Sequence, residues 1–344
     1  MKAGRVSVFG GPETVEIVDV PTPEPAAGEV LVKLRSAGLN RADLLIREGK
    51  FTEAPVPIVL GVEGAGEVAA LGAGTVGFTP GDRVVLNPMV VCDACPACRA
   101  GRDSECPELQ VVGEHFDGTY AEYISLPARN VLHAPEGLGD DRLAASIVAC
   151  MTAWHMLKTR AQVRPGETVL VVGASSGVGS AAVQVAKALG ARVIATTSTG
   201  RKEQQVRELG ADEVINYRAV PDFHEQVRRL TGGIGADVAH ETVGRATVQK
   251  SIHALRHGGR LVGMGSHTGH VAELDLWSIY RREITLIGCH TSNRAEIAEF
   301  LPLLADGTLR PVVDSVFPLE RASDAQVRLA HPDRFGKVVL SIGG

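Results

Sequence analysis

The middle of the chain alternates short, continuous apolar runs with segments of helical period. Residues 168–172 form such a run, and a glycine-containing turn and an Ala- and Val-rich helix to Leu189 follow, with Gly190 as the stop signal. Continuous runs are typical of strands buried in a parallel sheet. The same alternation predicts strands at 192–196, 213–215, 236–240, 259–264 and 284–288 and helices at 202–209 and 223–230. Strands that alternate with helices imply right-handed crossovers, so the sequence predicts an α/β fold with a doubly wound, six-stranded sheet.

The segments on either side have other patterns. The first 130 or so residues are β-rich: residues 30–35 alternate apolar and polar positions, and residues 61–77 are interrupted repeatedly by glycine. Glycines at this density are typical of barrel corners and turns. The tail from about residue 293 returns to mixed elements and ends in a strand-like run at 337–340.

Length and composition agree with two globular domains. A chain of 344 residues is too long for one ordinary core. Charged residues make up 22%, and the net charge of −5 comes with scattered Lys and Arg, which argues against a nucleic-acid or membrane surface. No apolar stretch approaches the roughly 20 residues of a membrane span, and the N-terminus lacks a signal-peptide pattern, so we expect a cytoplasmic protein.

Four of the six cysteines, Cys92, Cys95, Cys98 and Cys106, have the spacing C-x2-C-x2-C-x7-C. Four thiolates on one compact loop can complete a tetrahedron around zinc and leave no position for water or substrate, which makes such a site structural. Two disulfides are the alternative, which the close spacing and a reducing compartment disfavour. We therefore expect one zinc ion per chain, in a lobe over residues 90–108.

The turn after the run at 168–172 has the pattern of a nucleotide site. Small residues at 173–180 let the backbone approach a pyrophosphate, and the next helix offers free N–H groups and its positive dipole end. A tight turn without a ligand is the alternative, which the surrounding β–α alternation disfavours. The predicted cofactor contacts are Ser175, Ser176, Gly177 and Val178 here, and Thr242, Val243 and Gly265 after the fourth and fifth strands.

The end of the second strand discriminates between the two nicotinamide cofactors. An NAD enzyme usually has Asp or Glu there, bonded to the ribose 2′-OH. This chain has Thr197, Ser198, Thr199 and Arg201 instead. The hydroxyls can donate to a 2′-phosphate and Arg201 can pair with it, so NADP(H) is favoured over NAD(H). Alternatively, Arg201 is a solvated residue at the start of a helix.

The four-cysteine lobe, the glycine-containing turn and the β-rich N-terminal segment together resemble the medium-chain dehydrogenase/reductase superfamily, the group of zinc alcohol dehydrogenases and quinone oxidoreductases. The resemblance covers essentially the whole chain. It implies a GroES-like β-barrel domain over residues 1–135 and 293–344, with the Rossmann nucleotide domain over residues 136–292 inserted between them. It also implies a small-molecule substrate and a homodimer or homotetramer.

The chain departs from the zinc alcohol dehydrogenases at the catalytic metal. Those enzymes hold zinc by a Cys, by the His of a G-H-E motif, and by a Cys or acidic residue before a T-x-[WY] motif. The matching positions here are Asn40, Val62 and Val148, and an amide with two valines cannot form a zinc site. The alternative is a replacement site built from Asp43, Glu63 or His155.

Other residues resemble the quinone oxidoreductase branch. Asn40 is followed by Asp43, and Tyr217 occupies a position whose equivalent in that branch contacts the adenosine end of NADPH. Many of those enzymes have a tyrosine two residues after the Asp, where this chain has Leu45. They usually lack the four-cysteine lobe, so the chain combines features of both branches.

Without catalytic zinc, the favoured chemistry is hydride transfer from NAD(P)H to a quinone or to an activated C=C bond, as in an enone or enoyl thioester. The acceptor oxygen then needs a hydrogen-bond donor, for which Asn40 is the leading candidate. Alternatively, Asn40 only caps a helix predicted at 41–47, with Asp43 as its partner. We expect Thr152 either to reach the nicotinamide ribose or phosphate or only to pack. An alcohol or aldehyde dehydrogenase with a non-standard site and an NADPH-binding protein without turnover are the alternative functions.

Overall fold

The computed structural model describes residues 1–50, 54–263 and 265–343, which form two compact units. The first unit comprises Met1–Val148, Asn293–Ala305 and Pro311–Gly344, and the second comprises Ala149–Ser292 and Asp306–Arg310. The first unit thus extends beyond the expected boundary after residue 135, because helix Asp140–Ala144 packs on its strands. The first unit resumes at Asn293, and Asp306–Arg310 belong to the second unit.

The elements are numbered along the chain. The strands are β1 (Lys2–Val6), β2 (Val15–Asp19), β3 (Glu29–Gly38), β4 (Ile58–Val59), β5 (Glu63–Leu71), β6 (Arg83–Leu86), β7 (Met89–Val90), β8 (Gln110–Val111), β9 (Tyr123–Pro127), β10 (Val131–His133), β11 (Thr168–Val171), β12 (Arg192–Thr197), β13 (Glu213–Asn216), β14 (Ala236–Glu241), β15 (Leu255–Gly263), β16 (Thr285–Gly288), β17 (Val313–Pro318) and β18 (Lys337–Ser341). The α-helices are α1 (Arg41–Arg47), α2 (Pro96–Arg99), α3 (Asp140–Ala144), α4 (Ile147–Trp154), α5 (Gly177–Ala188), α6 (Gly200–Glu208), α7 (Phe223–Leu230), α8 (Val248–Ala254), α9 (Leu276–Tyr280), α10 (Arg294–Ala305) and α11 (Ala322–Ala330). Within the described ranges, no helix combines the length and apolar character that a membrane crossing requires.

The second unit is built on a six-stranded sheet with the strand order β13-β12-β11-β14-β15-β16. All the strands are parallel, so the predicted Rossmann sheet is confirmed. Met264, which ends one of the predicted strands, lies outside the described residues. The strand order reverses between β11 and β14, and sheets of this type bind ligands at that switch point. The loops after these two strands therefore flank the expected nucleotide site.

The burial of these strands explains their continuous apolar runs. Val169, Leu170 and Val171 of β11 are each fully buried, although alternate side chains point to opposite faces of the sheet. The helix that follows ends as predicted, because Gly190 adopts a left-handed conformation with φ of 78°. The sequence pattern was thus sufficient to place both strand and helix.

The first unit contains a seven-stranded sheet with the order β10-β6-β5-β3-β18-β17, and β9 also pairs with β3. Near the C-terminus of the chain, β18 pairs antiparallel with β3 and parallel with β17. A three-stranded sheet, β2-β1-β4, and the ribbon β7-β8 complete the unit. The strands β17 and β18 near the C-terminus therefore complete the sheet of the first unit.

The glycines at residues 61–77 were interpreted as turns and corners, which is wrong for Glu63–Leu71, the strand β5. Gly66 lies so close to β3 that a Cβ atom would overlap the carbonyl oxygen of Lys33. The register between the two strands shifts beside it, between Leu34 and Ser36. Glycine here permits close backbone approach at a bulge within a strand.

Candidate functional site

Four cysteine side chains of the first unit converge. Cys92, Cys95, Cys98 and Cys106 place their sulfur atoms within 4.8 Å of one another. The Sγ atom of Cys92 lies 4.0 Å from that of Cys98 and 3.6 Å from that of Cys106. In a tetrahedral site with Zn–S distances of about 2.3 Å, sulfur atoms are separated by roughly 3.8 Å. The four cysteines therefore fit a structural zinc.

The chemistry of these thiols agrees with a metal. All four are free cysteines, so the two disulfides considered above are not formed. Backbone N–H groups of Ala94 and Cys95 lower the pKa of Cys92 to about 7, whereas burial raises the pKa of Cys98 to about 12. Complete ionisation therefore needs a cation, which zinc supplies. Among the residues that the structure describes, these four form the only metal-competent group of His, Cys, Asp and Glu.

A hydrogen-bond network includes Asn40 and Val148, two of the three positions that the resemblance matches to catalytic zinc ligands. Asn40 Nδ2 donates to Glu63 Oε1 at 2.8 Å and to the carbonyl oxygen of Gly38 at 3.2 Å. Glu63 Oε2 accepts from the backbone N–H of Val148 at 2.8 Å. Lys337 Nζ donates to Glu63 Oε1 at 2.5 Å and to Asn40 Oδ1 at 2.6 Å. The ion pair is buried, with 1% of the Glu63 side chain and 5% of the Lys337 side chain exposed.

Two of the three residues considered for a replacement metal site accept hydrogen bonds from protein groups. Both oxygens of Glu63 accept hydrogen bonds within the network. Asp43 Oδ2 accepts from the backbone N–H of Asn40 at 2.7 Å and from the Tyr120 hydroxyl at 3.0 Å. His155, the third residue considered, lies in the second unit, in a π-helical turn that follows α4.

Asp43 is a buried acid at the start of α1. Its bond to the Asn40 N–H confirms the predicted pairing of these residues at the helix start. Burial raises the pKa of Asp43 to about 7, although the Asn40 N–H and the Lys337 charge act against this shift. Burial and the neighbouring Asp43 also raise the pKa of Tyr120 well above its ordinary value. Burial therefore favours the neutral form of both side chains.

The turn after β11 has the construction of a dinucleotide loop. Ser176 caps α5, its Oγ accepting from the Gly179 N–H at 2.9 Å. A Cβ atom at position 179 would overlap the carbonyl oxygen of Gly173, so glycine allows the helix to pack against the turn. Ser175 and Val178 are half-buried, and Gly177 is the first residue of the helix. The residues present fit the phosphate-binding role that their sequence predicts.

The end of β12 carries an unsatisfied polar atom. Thr197 is 1% exposed, and its Oγ1 atom has no hydrogen-bond partner among the described residues. A buried hydroxyl without a partner calls for an explanation, such as local strain, a functional role or an ordered water molecule. Ser198 is buried, Arg201 is exposed, and Tyr217 donates its backbone N–H to the Thr197 carbonyl oxygen at 3.0 Å. Of the predicted cofactor residues of this region, Tyr217 thus lies beside the end of β12.

Glu241, at the end of β14, organises the loop on the other side of the switch point. Its Oε1 atom accepts from the backbone N–H groups of Val243 at 2.6 Å and Gly244 at 3.0 Å. Its Oε2 atom accepts from the Ser251 hydroxyl at 2.6 Å. The loop that contains Thr242 and Val243 is therefore held by a buried carboxylate.

Two of the remaining predicted residues lie in the second unit. Gly265 has a φ of 109° and lies against the Thr242 carbonyl oxygen, which favours glycine there. Thr152 is in α4 and is 5% exposed. Sequence reasoning did not find Lys337 or Glu241. Each of these charged residues lies next to an apolar strand segment, which is a pattern that the sequence displays. Charged residues in such positions are rarely buried unless they are paired, so the pattern could have marked both as members of an ion pair or a hydrogen-bond network.

Comparison with known proteins places the chain among dehydrogenases and reductases. Residues 26–136 match the model of the alcohol dehydrogenase GroES-like domain, and residues 177–306 match that of the zinc-binding dehydrogenases. The chain is 35% identical over 343 residues to the acryloyl-coenzyme A reductase of Metallosphaera sedula, covering 99% of this chain and 100% of that protein. It is 31% identical over 349 residues to the quinone oxidoreductase of Homo sapiens, covering 99% and 97%. The crystal structure of an NAD-dependent alcohol dehydrogenase matches with a TM-score of 0.97 and 42% identity, covering 100% of both chains.

Proposed function

The chain belongs to the medium-chain dehydrogenase/reductase superfamily, and on this basis we propose that it is an NAD(P)H-dependent reductase of quinones or activated C=C bonds that works without catalytic zinc. One observation carries the proposal. Where zinc enzymes have three ligands, this chain has Asn40, Val62 and Val148, and the adjacent carboxylate of Glu63 is neutralised by Lys337.

The chemistry follows from this charge arrangement. When bound, the reduced nicotinamide supplies a hydride. Oxidation of an alcohol requires a substrate close to an alkoxide, which zinc provides as a Lewis acid. Reduction of an acceptor that is already polarised does not require a Lewis acid, because the protein needs only to stabilise an oxygen that becomes negative. A hydrogen-bond donor is sufficient for that task.

Asn40 is the proposed donor, and its contacts define how it acts. Both hydrogens on Nδ2 are engaged, at 2.8 Å with Glu63 and at 3.2 Å with the Gly38 carbonyl oxygen. The bond to Gly38 is longer and therefore weaker. When a substrate binds, its oxygen replaces the Gly38 carbonyl oxygen as the acceptor of this N–H. Asp43 holds the Asn40 backbone N–H and fixes the residue from the other side. We propose that Thr152 contacts the nicotinamide end of the cofactor.

For the cofactor we propose NADP(H). The support is the lack of a carboxylate at Thr197 and Ser198, the orphan hydroxyl of Thr197, and the exposed guanidinium of Arg201. The similar crystal structure is that of an NAD-dependent enzyme, which favours the other cofactor. The free cysteines of the lobe support a reducing compartment such as the cytosol.

The names of two relatives indicate two classes of hydride acceptor that an assay should include. An acryloyl thioester is an activated C=C bond, and a quinone is the other acceptor considered. We expect the purified protein to oxidise NADPH in the presence of quinones, enones or enoyl thioesters, and not to reduce NADP+ or NAD+ with a panel of primary and secondary alcohols. The measurement is cofactor absorbance against each compound.

The two competing functions give different results in the same assay. Turnover of alcohols without turnover of acceptors would identify an alcohol dehydrogenase with a non-standard site, as the similar crystal structure favours. Tight NADPH binding in a titration, with no turnover of any compound, would identify a cofactor-binding protein. Either result contradicts the reductase proposal.

We also propose a homodimer, formed through the free edge of the second unit's sheet. β16 is the edge strand, and Leu286 on it is 43% exposed. Trp277 and Tyr280 of α9 are 58% and 59% exposed. Apolar edges of this kind are usually covered, and a second copy of the same edge is a self-complementary partner.

Leu286→Glu combined with Trp277→Glu should give monomers in sedimentation, whereas Val76→Glu, at an exposed position of the first unit, should leave the wild-type mass. An unchanged mass of the double variant contradicts this interface.

A further inference from the structure

Lys337 lies beside the end of β3, although it is distant from that strand in sequence. It is the first residue of β18, whose register with β3 aligns Val339 with Gly38. The Leu39 N–H donates to the Val338 carbonyl oxygen at 2.9 Å, which extends the contact past the strand end. The fold therefore fixes the backbone of Lys337 next to Asn40.

The ammonium group of Lys337 has no hydrogen left for a substrate. It carries three hydrogens, and three oxygens accept from it: Leu39 O at 2.6 Å, Asn40 Oδ1 at 2.6 Å and Glu63 Oε1 at 2.5 Å. The side chain is also buried. Any effect of its charge on a bound molecule must therefore pass through these partners.

Stability alone does not account for a charge at this position. Replacement of a buried ion pair by apolar side chains is often neutral or stabilising. The neighbouring residues Val338 and Leu340 of the same strand are part of the apolar core. Packing by itself therefore does not require a charged pair at this position.

The charge acts directly on the Asn40 amide. Oδ1 faces the ammonium group, and Nδ2 faces the oxygens of Glu63 and Gly38. The reversed amide would place its NH2 group against an ammonium and its oxygen against a carboxylate, so only one orientation is stable. A cation on Oδ1 polarises the amide and makes the N–H on Nδ2 a stronger donor.

We infer that Lys337 is a positioning residue that delivers positive charge to the acceptor oxygen through the amide of Asn40, in the place where zinc alcohol dehydrogenases have a metal cation. This inference rests on the proposed function, because it assumes an oxygen that becomes negative during reduction. The interaction strengthens as that charge develops, so Lys337 lowers the barrier more than it strengthens binding of the neutral acceptor.

The kinetic test compares Lys337→Met with Lys337→Arg, which keeps the charge. We expect Lys337→Met to lower kcat for an enone by about 10- to 100-fold with KM within about threefold, and Lys337→Arg to retain kcat within about fivefold. In an Asn40→Ala background, the same Met substitution should cost less than about twofold, since the amide that transmits the charge is gone. Lys2→Met, which removes an exposed ion pair with Glu320, is the control and should leave kcat unchanged.

A binding test reports the charge without turnover. p-Nitrophenolate carries an oxyanion like that of an enolate, and 4-nitroanisole is its uncharged methyl ether. We expect the wild-type protein to prefer the phenolate, and Lys337→Met to weaken the phenolate by about tenfold while leaving the ether within about twofold. Asn40→Ala should remove the same preference. If Lys337→Met does not fold, Lys337→Gln replaces it, because it removes the charge and keeps polar contacts.

The outcomes separate the inference from the proposed function. Equal loss of kcat in the wild-type and Asn40→Ala backgrounds, or equal weakening of phenolate and ether, would give Lys337 a purely structural role and overturn the inference. A wild-type protein that prefers the ether overturns it as well. If no acceptor is reduced but the phenolate preference depends on Lys337 and Asn40, the proposed function fails and the charge relay stands.

Discussion

Replacing Cys95 by serine is expected to release the zinc ion and to lower the free energy of unfolding by several kcal/mol. Structural zinc contributes about 10–16 kcal/mol of apparent binding free energy in isolated zinc-finger peptides, and part of that is lost with one ligand. The apolar core of the lobe is small. Its buried cluster consists of Val91, Cys98 and Cys106, with Cys92, Cys95 and Leu109 packed against it. Most of that apolar content is the ligand set itself.

Loss of the lobe should extend to the start of α10. Arg294, the first residue of that helix, pairs with Asp93 and Asp103 of the lobe. The Ser104 N–H also donates to Asn293 Oδ1 at 3.1 Å. Metal-free protein should therefore show faster hydrogen exchange in α10 as well as in the lobe.

The zinc prediction is measured by metal analysis and by thermal unfolding without cofactor. The wild-type protein should contain one zinc per chain and the Cys95→Ser variant none. Cys289→Ser, outside the lobe, is the matched control and should retain both the metal and the unfolding temperature. Two tightly bound zinc ions per wild-type chain would contradict the assignment of Asn40, Val62 and Val148 as non-ligands.

Local pattern was sufficient to predict the second unit and the cysteine site. The strand β11 follows a continuous apolar run, and the glycine at position 179 and the left-handed Gly190 have local causes that a sequence displays. The four zinc ligands lie within one short loop, so their spacing indicates their geometry. The helix at Arg41–Arg47 was likewise marked by Asn40 and Asp43.

The pairings between distant segments could not be predicted in this way. Lys337 and Glu63 are 274 positions apart, and only the insertion of β18 beside β3 brings them together. Nothing in the sequence near Asn40 indicates that its amide faces a buried ammonium group. The strand β5 was missed for a related reason, because the need for Gly66 comes from the backbone of β3 across the sheet.

The second large effect concerns the cofactor: Arg201→Ala should weaken NADPH binding by about ten- to hundredfold and leave NADH nearly unchanged. A charge-assisted bond from a guanidinium to the 2′-phosphate is worth about 1.5–3 kcal/mol, and NADH has no such group. Arg201 is exposed in the first turn of α6. Arg207→Ala, at an exposed arginine in the last turn of the same helix, is the matched control and should affect neither cofactor. Titration of both cofactors measures the effect.

Thr197→Asp should go further and reverse the preference. Thr197 is the last residue of β12, the strand end at which sheets of this type bind the ribose, so we expect a carboxylate there to face the ribose of a bound nucleotide. The carboxylate repels a 2′-phosphate by an amount on the order of 2–4 kcal/mol, and it accepts a hydrogen bond from the 2′-OH of NADH. The weaker binding of NADPH and the stronger binding of NADH should together change the ratio of the two affinities by more than about a hundredfold. Thr197→Asn is the control, because asparagine has the shape of aspartate without its charge, and it should change that ratio far less. If the wild-type protein binds both cofactors equally, and Thr197→Asp weakens both alike, then the hydroxyl and Arg201 do not select the phosphate and the NADP(H) proposal fails.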